Sequence, residues 1–136
     1  MAQFTTRLRV RRYEMDALGH VNNAVYLNYL EHVAVEHSES LGLTYEKYRD
    51  LGGTWVLRRM EVDYLRPAVG GDQLDATTWL QQMRGVRAIR RYEIRRAGED
   101  ELILTAEALW VWVSLFTMRP RPVPAEVIAI FEAQKD

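Results

Sequence analysis

From Tyr13 to Leu27 the chain reads Tyr13-Glu14-Met15-Asp16-Ala17-Leu18-Gly19-His20-Val21-Asn22-Asn23-Ala24-Val25-Tyr26-Leu27, and its hydrophobic period changes within that segment. Before it, Phe4, Thr6, Leu8 and Val10 alternate with Arg7, Arg9 and Arg11, the period of a half-buried strand over 4–12. Ala17-Leu18-Gly19-His20 interrupts the alternation, and Gly19 permits a tight turn. Asn22 and Asn23 are good helix caps. After them Tyr26, Leu30, Val33, His37 and Leu41 recur at helical spacing, with Glu31, Glu36 and Glu39 between, until Gly42 supplies a stop.

Downstream the period returns to two. Strands are predicted over 55–65, 73–83, 87–96 and 102–116, separated by Gly70-Gly71-Asp72, Arg84-Gly85 and Ala97-Gly98-Glu99-Asp100. Pro120, Pro122 and Pro124 punctuate an extended tail, followed by a short helix over 125–133. The order is α+β: one long central helix packed on a curved antiparallel sheet of about five strands. A length of 136 residues suits one domain, taken as 1–136.

Composition narrows the chemistry. There is no cysteine, which removes disulfides, thiolate metal sites and a cysteine nucleophile. No Gly-x-Ser-x-Gly elbow and no Gly-rich phosphate loop occurs. His32 and His37 lie five apart, off the spacing of a helical metal pair, so no metal is expected; they are expected in solvent or packed on the helix. Net charge is -1, which does not favour nucleic acid. No apolar run approaches a membrane span, and the N-terminal residues lack a signal pattern, so a cytoplasmic protein with no membrane partner is expected.

What remains is the 13–27 segment. It sets a carboxylate, Asp16, close to the unpaired amides of a helix N-terminus, which carry partial positive charge and can hold an oxyanion. Carboxylate plus amide donors is a workable acyl-transfer site without serine or cysteine. The same spacing serves equally for a plain structure in which Asp16 caps the turn and Asn22 caps the helix.

The segment closely resembles the hotdog-fold thioesterases of the 4-hydroxybenzoyl-CoA thioesterase type, in which Asp-x-x-Gly-His-Val-Asn-Asn-x-x-Tyr recurs. The resemblance continues in Val62-Asp63-Tyr64-Leu65-Arg66-Pro67-Ala68, in Gly71-Asp72 and in Arg119-Pro120-Arg121-Pro122-Val123-Pro124, covering nearly the whole chain. It implies the hotdog fold and an acyl-CoA thioesterase that hydrolyses a fatty-acyl or aryl thioester. Asp16 then matches the catalytic carboxylate, as nucleophile or general base. The backbone N–H of Asn23 matches the oxyanion donor. His20 falls at a position that either takes part in catalysis or makes a structural hydrogen bond. Gly19, Val21, Asn22 and Tyr26 fall around the substrate. Coenzyme A would arrive as part of the substrate, with no other cofactor, and an acyl carrier protein could replace it.

Coenzyme A carries phosphates, and Arg84, Arg87, Arg90, Arg91, Arg95 and Arg96 crowd one strand. Arginine forks suit phosphate oxygens, which makes Arg87, Arg90 and Arg91 candidate contacts. Alternation puts Arg90 on the face opposite Arg87 and Arg91, so they cannot all meet one ligand. The last strand is apolar on both faces, with Ile103, Leu109, Val111 and Val113 opposing Leu104, Ala106, Ala108, Trp110 and Trp112. A single helix covers one face. The other calls for a second subunit, hence a homodimer or homotetramer with a pocket between subunits, or for the C-terminal tail. The competing functions are a hotdog dehydratase and a non-catalytic acyl-CoA or nucleic-acid binding module.

Overall fold

The computed structural model describes residues 2–134. Strand β1 (Phe4–Arg9) leads through a 3-10 turn (Arg12–Glu14) to helix α1 (Asn23–Ser40) and helix α2 (Tyr45–Leu51). Four strands follow, β2 (Gly53–Tyr64), β3 (Gln73–Arg84), β4 (Arg87–Arg96) and β5 (Leu102–Ser114), and then helix α3 (Ala125–Glu132). The strands form one antiparallel sheet in the order β1-β3-β4-β5-β2.

Alternation on each strand selects the face that meets α1. Leu74 and Ala76 of β3, Tyr92 and Ile94 of β4, and Leu104, Ala106 and Ala108 of β5 form one core with Tyr26, Tyr29, Leu30, Val33 and Ala34 of α1. Each large side chain buried in this way contributes about 1.5–3 kcal/mol. A second core lies beyond the C-terminal end of α1, where Leu43, Leu80, Ala88 and Trp112 meet Val123, Val127 and Phe131. Helix α3 and the proline-rich tail close that end of the molecule.

Three helices are present among the described residues: α1 and α3 fall where a long central helix and a short C-terminal one were expected, and α2 corrects that count. Helix α2 lies where no helix was predicted. It has seven residues and no fully buried side chain, so it carries no apolar stripe. Its signals are at its ends: the Thr44 hydroxyl accepts from Lys47 N, and Gly52 takes the left-handed conformation that stops it.

Of the two covers expected for the second face of β5, a second subunit or the tail, the single chain supplies the tail. Ile103, Val111 and Val113 are buried within the single chain, and the tail pairs with the strand at Val113 and Pro120. That face does not by itself demand a partner. Among the described residues both edges of the sheet, β1 and β2, are unpaired; β2 is the longer, at twelve residues, with Val56, Leu57 and Tyr64 exposed.

Candidate active site

The segment 15–22 forms a small closed loop before α1. Met15 pairs with Val21 and His20 with Val69, while Asn22 N donates to the Glu14 carbonyl at 2.9 Å. Inside that base the Asp16 amide donates to the His20 carbonyl at 2.7 Å and the Gly19 amide to the Asp16 carbonyl at 3.1 Å. Gly19 has φ +77, and a Cβ there would meet open space. Glycine is thus required by the left-handed backbone and not by a close approach within this chain.

Asp16 does cap this turn. Its Oδ1 accepts from Leu18 N at 2.8 Å and from His20 N at 3.1 Å. The side chain is exposed, and Oδ2 has no hydrogen-bond partner among the described residues. One oxygen fixes the loop and the other is available, so capping and chemistry do not compete for the same atom.

Asn22 caps α1, its Oδ1 accepting from Ala24 N at 2.9 Å. Val25 N is bonded to the Asn22 carbonyl, so Asn23 N–H is left as the donor without a protein acceptor among the described residues. The Asn23 carbonyl accepts from the Tyr64 hydroxyl at 3.0 Å, tying the start of α1 to the end of β2. His20 is half-buried, held through its backbone, with no side-chain hydrogen bond among the described residues.

Two candidates are core residues. Val21 is buried, and its N–H donates to the Ala68 carbonyl. Tyr26 is buried with its hydroxyl accepting from Ala68 N at 3.1 Å, and burial pushes its phenol up from the ordinary value. Glu14 holds the loop from beneath: its Oε1 accepts from Arg11 N at 2.7 Å and from the Tyr29 hydroxyl at 2.8 Å. Burial, then the bond to Glu14, raises the Tyr29 phenol far above its ordinary value.

The arginine expectations divide. Arg87 is exposed and lines a groove of about 360 Å³ on the outer face of the sheet with Arg59, Arg84 and Glu107. Arg91 is spanned by Gln81 and Glu107. Arg90 is corrected: it is only 5% exposed, on the inner face, and cannot grip phosphate at a pocket mouth. His37, expected in solvent or packed on the helix, is buried against Phe4 and Phe131 with its Nδ1 2.9 Å from Arg90 Nη1. Arginine must donate, so Nδ1 accepts and the ring is the Nε2–H tautomer. Burial, then the Arg90 charge, lowers the His37 pKa to about 4, leaving it neutral.

A cavity of about 520 Å³ opens between the second half of α1, α2 and the sheet, within the range of small-molecule sites. Its wall includes Ala34, Leu43, Tyr48, Trp55 and Trp110, and it touches neither Asp16 nor Asn23 of the same chain. Sequence reasoning missed this cavity because its walls come from six elements spread along the chain.

Comparison with known proteins bears on this arrangement. Residues 1–131 match the acyl-ACP thioesterase N-terminal domain family. A chloroplastic acyl-acyl carrier protein thioesterase of Arabidopsis thaliana is 32% identical over 91% of this chain, which spans 65% of that protein's length. The long-chain acyl-CoA thioesterase FadM of Escherichia coli is 30% identical, with 90% of this chain and 92% of FadM covered. The 1,4-dihydroxy-2-naphthoyl-CoA thioesterase of Synechocystis has the same fold, with a TM-score of 0.88 at 22% identity over 97% of both chains. Fold, loop and relatives together define a thioester hydrolase of the hotdog class. The chain belongs to the acyl-ACP thioesterase family.

Proposed function

We propose that this protein hydrolyses the thioester of an acyl group carried on coenzyme A or an acyl carrier protein, with Asp16 and the Asn23 N–H as its reacting groups. The observation that carries this reading is the division of labour at Asp16, where Oδ1 holds the loop and Oδ2 is unbound. The helix-terminal amide of Asn23 would receive the negative charge that develops on the thioester oxygen. The carboxylate would either take a proton from water, which attacks the carbonyl carbon, or attack that carbon itself to form an anhydride that water opens at the aspartyl carbon; in both routes the C–S bond breaks and the coenzyme A or carrier thiolate leaves. Single-turnover hydrolysis in heavy-oxygen water separates the two, since only the nucleophile route places label in the Asp16 side chain.

The cavity lacks a reacting group of its own chain, and a second copy supplies one in our reading. The β2 edge is long and unpaired, and the cavity is lined by Thr54 and Trp55 at its beginning. Tyr64 at its other end holds Asn23. Antiparallel pairing of two β2 edges would set the Tyr64 end of one beside the Trp55 end of the other. The loop of one protomer then reaches the cavity of its partner.

The resemblance to the 4-hydroxybenzoyl-CoA type points to an aryl group, whereas FadM is named for long chains; the cavity wall offers both aromatic and aliphatic surface. Coenzyme A enters as substrate, with no separate cofactor, and the outer groove at Arg59, Arg84 and Arg87 is its cationic landing surface. Thiol release from a panel of acyl-CoA and acyl carrier substrates tests the function; no release from any member overturns it. Arg87→Ala is expected to raise KM severalfold with kcat unchanged, the pattern of lost ground-state binding. An unchanged KM removes that surface from the reading.

A further inference from the structure

Position 90 is an unusual place for a cation. It faces α1 on a central strand, with Leu80 and Ala108 opposite it on either side. The neighbours on its own face are Ala88 and Tyr92, both buried. A buried charge without an opposite charge is costly, and an apolar side chain of similar volume is often at least as stable. Arg90 nevertheless has only neutral partners: Nη1 donates to His37 Nδ1 at 2.9 Å and to Thr78 Oγ1 at 3.1 Å. Thr78 is already committed as a donor to the Arg91 carbonyl at 2.8 Å. Among the described residues no carboxylate lies within ion-pair distance of Arg90, and its Nε and Nη2 make no hydrogen bond. Its side chain lines the 520 Å³ cavity. The acidic groups on that cavity, Glu31, Glu39 and Glu46, are exposed residues on α1 and α2. His37 is the neutral tautomer that fixes one edge of the guanidinium, and it contributes no charge of its own.

We propose that the free edge of Arg90 receives a carboxylate at the far end of the acyl group, making the preferred substrate an ω-carboxyacyl thioester. This deepens the thioesterase reading and rests on it. A guanidinium with one edge held and the other open matches a carboxylate through two parallel hydrogen bonds. Such a partner restores the missing opposite charge inside the cavity. A plain alkyl end leaves those donors facing hydrocarbon, which costs the bound state. The wall then acts in two parts: Ala34, Leu43, Trp55 and Trp110 take the methylenes, and Arg90 reads the terminus.

The test uses acyl-CoA substrates of matched length with plain, ω-hydroxy and ω-carboxy ends, assayed with the wild type and with Arg90→Met. Hydrogen bonds to a charged group predict a KM about 10–100-fold lower for the ω-carboxy substrate than for the plain one. In Arg90→Met the ratio of the two KM values falls to about one. Equal KM values in the wild type, or a preference that survives Arg90→Met, overturns the proposal while leaving the hydrolase reading intact. A second measurement needs neither turnover nor the variant: quenching of tryptophan fluorescence by the monoamide of an α,ω-dicarboxylate against the plain fatty amide of equal length, since Trp55 and Trp110 line the cavity. Tighter binding of the carboxylate-ended amide supports the proposal even if no thioester is cleaved. Equal binding of the two amides overturns it, whatever the assay shows.

Discussion

In the proposed reaction Asp16 answers to two demands with one carboxylate. Asp16→Asn keeps an acceptor at Oδ1 for Leu18 N and His20 N, so the loop is expected to fold. It removes the group that could take a proton or attack. We expect kcat to fall about 10²–10⁴-fold, with KM little changed. Retention of a tenth of kcat would reduce Asp16 to a cap. His37 gives a second prediction at this scale. Its pKa is about 4 in the fold against 6.5 for a free histidine, so the unfolded chain binds the extra proton between those values. Stability is therefore complete above about pH 6.5 and is lost as pH falls toward 4, by on the order of 3 kcal/mol. Urea midpoints at pH 7 and pH 5 measure it. His37→Gln, which keeps an acceptor for Arg90, is expected to be less stable at pH 7 but to show a smaller drop; equal drops in both proteins would sink the assignment. His37 also marks the limit of the sequence at this scale. It shares the Tyr26-Leu30-Val33-His37-Leu41 stripe yet was expected in solvent or packed on the helix, because nothing in the sequence names the arginine that arrives from a strand 53 residues away.

Elements were legible where their period was long and obscure where they were short. The helix 23–41 and the strands were readable because alternation and the helical stripe each run over many residues and report burial directly. Helix α2 was not, because seven residues packed at the rim bury no continuous face. What fixes α2 against the sheet is aromatic: the ring of Trp112 lies 5.6 Å from Tyr48 and 5.3 Å from Trp55, centroid to centroid. The space for that ring is made by Gly53 at the start of β2, where a Cβ would stand 2.5 Å from Trp112 Cε2 and Cζ2. Gly53→Ala is thus expected to push a buried indole off its seat and to destabilise the protein by about 1–3 kcal/mol. Thermal unfolding would show a Tm lower by several degrees. No change in Tm would mean that the ring shifts freely and that α2 is not anchored there.

For the molecule as a whole, the two sheet edges are treated differently. β1 has six residues, with Arg7 and Arg9 on its exposed face, a short and charged edge that discourages pairing. β2 is twice as long and leaves Val56 and Leu57 exposed. We therefore expect a dimer or a multiple of dimers by sedimentation equilibrium at micromolar concentration, and Val56→Pro on the open edge should shift the population toward the monomer. A wild-type monomer at 15.9 kDa would contradict both the pairing and the shared cavity. The sequence argument for subunit assembly came from the apolar β5, and the fold assigns much of that apolar surface to its own tail.

The strand order β1-β3-β4-β5-β2 has a consequence for how the chain is made. β2 pairs with β5 alone, and β5 starts at Leu102, whereas β2 ends at Tyr64. At ribosomal speeds the intervening stretch takes roughly 2–8 s to emerge. During that interval β2 is a newborn strand with neither edge satisfied, and α1 has yet to meet the three strands it rests on. The nascent polypeptide should therefore be the stage at which a holdase chaperone finds this protein, and a ribosome stalled shortly before residue 102 should display a protease-sensitive chain.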